Sequence, residues 1–406
     1  MVNRVSGCKY PPLHQQRVRM GQQSHPGVLT QIPSAYTPVS PTQLLNTYAD
    51  DSTLGSHGSL DLTVAGIAGV SPIATAVVLN VTVTHTTASS YLTIYPAGRT
   101  RPLASNLNWG TGQSVSNLVI IPTGNAGQIT FYNQSGNADI VVDLEGYFSP
   151  VSGSSLAGSY VPLPSTRITD TRTASGYPNA GKTLTSGGIL NVQVAGQGNV
   201  PTGGIGAVVL NVTVVNPDAA SYLTAYPANT PRPGTTNLEW VAGQTVANRV
   251  IVPVGNNGMV SLYNYTGTTD VVVDVSGYFT DTVMAPLGAS LYNPILPVRL
   301  LDTRQTGLEL SADTFVAQGV TGVDGIAHNA TVIVTNVTAV DTTASSYLTV
   351  YPGGVTPHTS DLNWTIGNVV PNLVVARLSS NGVLCFYNHA GNTNIVVDVF
   401  GYFTPV

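Results

Sequence analysis

The chain of 406 residues is poor in charge, in lysine and in cysteine. Asp, Glu, Lys and Arg make up 8% of it, against about 25% in an ordinary soluble protein. Its only lysines are Lys9 and Lys182. A body so short of bases lacks the positive face that nucleic acid requires, so no nucleic-acid partner is expected. No apolar run approaches the ~20 residues of a membrane span, and membrane insertion is not expected either. Cys8 and Cys385 are the only cysteines and fall far apart. That excludes a disulfide framework and suggests two lone thiols in a fold completed under reducing conditions. The seven histidines show no HxxxH or HxH pairing, no Ser-His-Asp or Cys-His set recurs, and no phosphate-binding glycine loop is present. No catalytic residue, metal ligand or cofactor is therefore assigned.

The charge that exists is unevenly placed. Residues 1–49 hold Arg4, Lys9, Arg17 and Arg19 and no acid, leaving 10 of the 14 bases and all 19 acids to the rest. The basic start is followed by no 7–15-residue apolar core, so it does not read as a secretory signal. Hydrophobic residues at 42% are ample for several cores and argue against disorder.

What is present is a unit repeated three times. VVLNVTV (77–83), VVLNVTV (208–214) and VIVTNVTAV (332–340) are followed by SSYLTIYPAG, ASYLTAYPAN and SSYLTVYPGG. SNLNW, TNLEW and SDLNW come next, and the copies close on VVDLEGYF, VVDVSGYF and VVDVFGYF. Tyr91, Tyr222 and Tyr347 are 131 and 125 residues apart, a period of domain size. Alternation with period two in Val77–Val83 and Tyr91–Tyr95, with turns such as Asn125-Ala126-Gly127 between runs, predicts seven or eight strands per copy. The expected fold is all-β: three tandem antiparallel β-sandwich domains, jelly-roll or immunoglobulin-like, with a small barrel as the alternative. The boundaries are 1–34 for an extended basic arm and 35–150, 159–281 and 291–406 for the repeats.

Three recurrent features could carry chemistry. Asp170 with Arg172, and Asp302 with Arg304, sit two apart and so on one side of a strand. They read as structural ion pairs tying the first strand to its neighbour, since the first copy has Asn46 and Tyr48 there and loses both charges together. Asp143, Asp274 and Asp398 recur once per copy, which is too few carboxylates for calcium or for glycoside hydrolysis. Each reads as a structural hydrogen-bonding group. Trp109, Trp240 and Trp364 share a face by alternation with Leu107, Leu238 and Leu362 and read as core, with the Asn106 and Asn108 side facing solvent. The sequons at Asn80, Asn211 and Asn336 fall inside strands and read as strand composition.

The order RLLDTR, LNVTV, YLTVYP, SNLNW, VVDVSGYF resembles the tandem repeat modules of secreted and surface proteins of actinobacteria, over residues 35–406. The resemblance implies adhesive or spacer β-domains with no catalytic role. Many such modules carry a cysteine after YP and another in the VCFY strand. Thr130, Ser261 and Cys385 hold the later position here, and no copy holds the first, so that bridge is not expected. The reading as a whole is a non-enzymatic structural or adhesive protein of a larger particle, such as a phage virion, tail or fibre. Its arm (Arg4, Lys9, Arg17, Arg19) would dock other structural proteins, and its three domains would project to a cell-surface glycan. A homo-oligomer and a virion or extracellular location go with it. A secreted lectin-like adhesin is the alternative. The ligand-binding residues stay unassigned.

Overall fold

The computed structural model describes residues 29, 31–151, 153–282 and 286–406. Arg4, Lys9, Arg17, Arg19 and Cys8, and so most of the expected docking arm, lie outside the described residues. The regular structure of the described residues is almost all strand; the one α-helix among them is the four-residue α1 (Thr303–Thr306). No helix among the described residues is long and apolar enough to cross a membrane.

Unit 1 contains β1 (Ser34–Asn46), β2 (Ser59–Thr63), β3 (Ala76–Thr84), β4 (Ser90–Pro96), β5 (Leu107–Trp109), β6 (Val115–Pro122), β7 (Gln128–Asn133) and β8 (Asp139–Pro150). Unit 2 repeats them as β9 (Tyr160–Asp170), β10 (Ile189–Gln193), β11 (Ile205–Val215), β12 (Ser221–Pro227), β13 (Leu238–Trp240), β14 (Val246–Pro253), β15 (Met259–Asn264) and β16 (Asp270–Thr280). Unit 3 does so as β17 (Ser290–Asp302), β18 (Thr314–Gly319), β19 (Val332–Val340), β20 (Ser346–Tyr351), β21 (Leu362–Trp364), β22 (Val370–Arg377), β23 (Val383–Asn388) and β24 (Asn394–Pro405).

In unit 1 the sheets run β1-β8-β3-β6 and β2-β7-β4-β5, all antiparallel, and units 2 and 3 keep that order. Two four-stranded sheets wound this way form a jelly roll. The order excludes the immunoglobulin and small-barrel alternatives. Each unit has its own core between its two sheets, where Leu92, Leu107, Trp109, Ile129 and Phe131 in unit 1 are buried with the Val77, Leu79 and Val81 side of β3. Trp109 and Trp364 donate their indole N–H to Ala88 and Ala344 carbonyls.

Separate beads would leave the other face of β3, β11 and β19 to solvent. Instead these strands are buried on both faces along nearly their whole length. The first sheets of the three units merge into one 12-stranded assembly, joined where β17 pairs with β1 at Ser34↔Tyr292 and with β9 at Ser290↔Tyr160. The three units thus form one body with approximate threefold symmetry, the arrangement a homotrimer would build from three chains.

An aromatic hub marks the axis. Phe148, Phe279 and Phe403, the last residues of the three GYF motifs, form a triangle with ring centroids 5.9, 6.1 and 6.4 Å apart. Tyr36 packs on Phe279, Tyr160 on Phe403 and Tyr292 on Phe148, each reaching into the next unit. Their hydroxyls donate to the Glu145, Ser276 and Phe400 carbonyls. Those three residues are bulges in β8, β16 and β24. The extra residue re-aims the strand and turns the following Gly146, Gly277 or Gly401 against a tyrosine ring, where any Cβ would overlap it. This is why the motif begins with glycine.

Candidate functional site

Two recurrent constellations stand out: a polar seam between units and a tyrosine face on each outer sheet.

The seam grows from one cross-strand row. In unit 2 the row reads Arg167, Asp274, Asn211, Arg249; in unit 3, Arg299, Asp398, Asn336, Leu373; in unit 1, Gln43, Asp143, Asn80, Leu118. Each row faces the neighbouring unit. Asn80 accepts from Asn248 (2.9 Å) and donates to the Thr236 carbonyl (2.6 Å). Asn211 does the same with Asn372 (3.0 Å) and Ser360 (2.7 Å), and Asn336 with Asn117 (2.8 Å) and Ser105 (2.9 Å). The backbone N–H groups of Leu118, Arg249 and Leu373 donate to Asn248, Asn372 and Asn117. The ring runs unit 1 to 2, 2 to 3 and 3 back to 1, so it closes on itself. The sequon asparagines are therefore buried seam residues with no room for a glycan. Asn106 and its counterparts, expected to face solvent, are buried too: Asn106 and Asn237 hold backbone N–H groups of β4 and β12. The exposed-Asn expectation is overturned at Asn106 and its counterparts, where that side meets another unit rather than water, while Asn108, Glu239 and Asn363 are half-buried.

The recurrent aspartates cap the seam. Asp143 accepts from the Thr236 N–H (3.2 Å) and Asp398 from the Ser105 N–H (3.0 Å). Arg167 and Arg299 bind Asp274 and Asp398 through two nitrogens each, tying first strand to last. Asp170–Arg172 and Asp302–Arg304 are pairs within their own segment, at 2.9 Å from Nε to Oδ1, so the tie between neighbouring strands is made instead by Arg167 and Arg299. Burial alone would raise Asp170 and Asp302, but their arginines hold both below the usual carboxylate range. That contribution is complete at neutral pH and is lost as pH falls through the depressed folded values. Arg304 is nearly half exposed whereas Arg299 is not. Arg304→Ala is expected to cost about 1 kcal/mol and Arg299→Ala about 2–3 kcal/mol in urea denaturation. Equal losses would contradict this division.

Sequence reasoning missed Arg249. It is the largest fully buried side chain, with Nη2 2.6 Å from Asp361 of unit 3, Nη1 on the Ser276 hydroxyl and Nε on the Leu373 carbonyl. A lone Arg where the other copies have Leu, facing a lone Asp where they have Asn, was the available signal. Cys385 is disulfide-bonded and no described cysteine is free, which corrects the expectation of two lone thiols.

The outer faces follow from YLTIYP. With Leu92 and Ile94 in the core, alternation turns the half-buried Tyr91 and Tyr95 to the other face of the sheet, beside the buried Tyr132 of β7, while Thr93 between them is buried and donates to the Ala104 carbonyl. On unit 1, the Arg101 guanidinium lies 3.6 Å over the Tyr132 ring, and Tyr91 and Tyr132 both donate to Gln134. On unit 2, Arg232 covers Tyr263, and Tyr222 stacks on the half-exposed Tyr265 at 4.8 Å. On unit 3, Tyr347 stacks on His389 at 4.7 Å and Tyr387 donates to Asp313. The partly exposed rings, Tyr91 and Tyr95, Tyr222 and Tyr265, and Tyr347 and Tyr387, offer apolar surface with polar edges, whereas Tyr132, Tyr226 and Tyr351 are buried. No group of His, Cys, Asp and Glu among the described residues could hold a metal ion.

No protein-family model matches the chain, and no curated protein matches it in sequence. Solved structures are similar at low scores. One described as "The Triple Jelly Roll Fold and Turret Assembly in an Archaeal Virus" has 9% identity over 92% of this chain and 91% of that one, with a TM-score of 0.19. The structure of Sulfolobus turreted icosahedral virus has 11% identity over 91% and 90%, with a TM-score of 0.18. The exported protein XepA of PBSX has 11% identity over 64% and 96%, with a TM-score of 0.19. Scores of this size identify no relative. The class rests on the topology itself: a single-chain, threefold arrangement of jelly rolls.

Proposed function

We propose that the chain is a non-enzymatic structural and adhesive component of a larger particle, of virion, tail or fibre type, whose three outer faces contact glycan on a cell surface. The observation that carries this reading is the triplicated tyrosine face on a body whose other recurrent residues are consumed in holding the units together. Three weak faces held at fixed spacing give avidity without one strong site. The basic arm would dock the body to other structural proteins of the particle. A secreted lectin-like adhesin is the second reading, since the tyrosine faces serve it equally well.

Density-gradient separation of native material, with mass spectrometry of the bands, separates the two. Banding at fixed stoichiometry with particles supports the first, and loss of incorporation on deleting residues 1–28 supports the docking role. Recovery only as free protein or on cell walls supports the second. For the faces, Tyr222→Ala with Tyr265→Ala is expected to weaken retention on isolated cell-wall polysaccharide severalfold. Adding Tyr91→Ala and Tyr347→Ala, at the places that match Tyr222 in the other two units, is expected to weaken it about 100-fold or more. Unchanged retention with all three faces stripped would remove the glycan reading.

A further inference from the structure

The three seams are not chemically equal. In units 2 and 3 the seam aspartate is neutralised by Arg167 or Arg299. In unit 1 the same place in β1 is Gln43, and Asp143, 2% exposed, is left with an Oδ1 that meets no hydrogen-bond partner. Two residues on, the bulge position that is Ser276 in unit 2 and Phe400 in unit 3 is Glu145, also 2% exposed, whose carboxylate has the Asn237 amide of unit 2 as its partner. Where seam 2–3 has Arg249, seam 1–2 has Leu118. The titratable groups that face the pair are Glu239 from unit 2 and the Tyr36 phenol from β1; β3 adds Asn80 and the segment before β13 adds Thr236 and Asn237. No cation among the described residues neutralises the two acids.

We propose that the seam between units 1 and 2 is a proton-dependent joint: Asp143 and Glu145 are closed in it as neutral acids, and the seam opens as they ionise. Burial supports this, pushing Asp143 up to about 6 and, together with the charge of Asp143, pushing Glu145 well above the usual carboxylate range. Both folded values lie above the unfolded ones. The seam is therefore tightest below the ordinary carboxylate pKa and loses stability as pH rises through the folded values. In seams 2–3 and 3–1 burial also raises Asp274, Asp361 and Asp398, but each of them meets a guanidinium that favours its ionised form, so these seams serve as internal references with the smaller pH response.

Hydrogen exchange on the full chain tests this, corrected for the intrinsic pH dependence of exchange and referenced to the other two seams. Between about pH 5 and pH 8, peptides covering β8 and residues 234–240 are expected to lose protection about tenfold from Asp143 alone, and more with Glu145. The peptides of β16 and residues 358–364, where Arg167 and Arg249 face Asp274 and Asp361, should lose much less. Gln43→Arg, which restores the arginine of the other units, should abolish most of the difference, and Glu145→Gln should reduce it. Equal protection of all three seams at both pH values would overturn the proposal. So would a difference that survives in a folded Gln43→Arg protein and in Glu145→Gln alike. The wild-type comparison decides the matter even if neither variant folds.

Discussion

Arg249→Leu is expected to destabilise the protein by about 3–5 kcal/mol, although leucine is the residue of both other units at that place. The reason is Asp361. Its carboxylate, 2.6 Å from the guanidinium, is buried, and without Arg249 it stays in the seam with no opposite charge. Restoring the pattern of the other units on both sides, with Arg249→Leu and Asp361→Asn together, is expected to recover most of the loss. A buried ion pair replaced whole by well-packed neutral groups is often neutral. Urea denaturation of the two single variants and the double variant gives the coupling directly. A double variant as unstable as Arg249→Leu alone would mean that the lost packing of the long side chain, and not the orphaned charge, sets the cost.

The pair also distinguishes one seam from the others. If the units closed with the opposite hand, unit 1 following unit 2, Arg249 would face Asn106 and remain buried without a counter-charge. Glu145 would likewise lose the Asn237 amide to Asp361, setting two carboxyls against each other. Three near-identical units need such markers, because their shared rows of asparagine fit any neighbour equally well.

Much of this was legible in the sequence and some of it was not, for a physical reason. The strand runs, the turns and the core tryptophans followed from alternation, because a strand with one face in a sandwich core declares that face in every second residue. Alternation says nothing about what covers the other face. Asn80, Asn211 and Asn336 read only as strand composition, and they are buried against a neighbouring unit. The clue was that their neighbours in VVLNVTV are apolar on both faces, which a water-facing strand does not need. Gln43 carried no signal of its own in the sequence. Its meaning appears when the register sets it across from Asp143, where the other units have arginine. The tyrosine faces were visible as YLTIYP, but which side of that strand faced water depended on the jelly-roll winding.

Phe279→Ala is expected to cost about 3–5 kcal/mol, and Phe148→Ala and Phe403→Ala about the same. Each ring is fully or almost fully buried and each touches aromatic rings from both other units. A cavity on the axis therefore cannot be filled by relaxation within one unit, because the closing wall belongs to its neighbours. Were the units independent domains meeting by accident at one surface, the three truncations would differ widely, and each would lower the melting of its own unit alone. A shared hub predicts instead one cooperative transition in calorimetry, shifted down by similar amounts in all three variants. Gly277→Ala extends the test without creating a cavity. Its Cβ overlaps the Tyr160 ring, which is fully buried and has no place to retreat, so overpacking of about 3 kcal/mol or more is expected. Three separate transitions in any of these variants would show that the units fold alone and that the hub only holds them together.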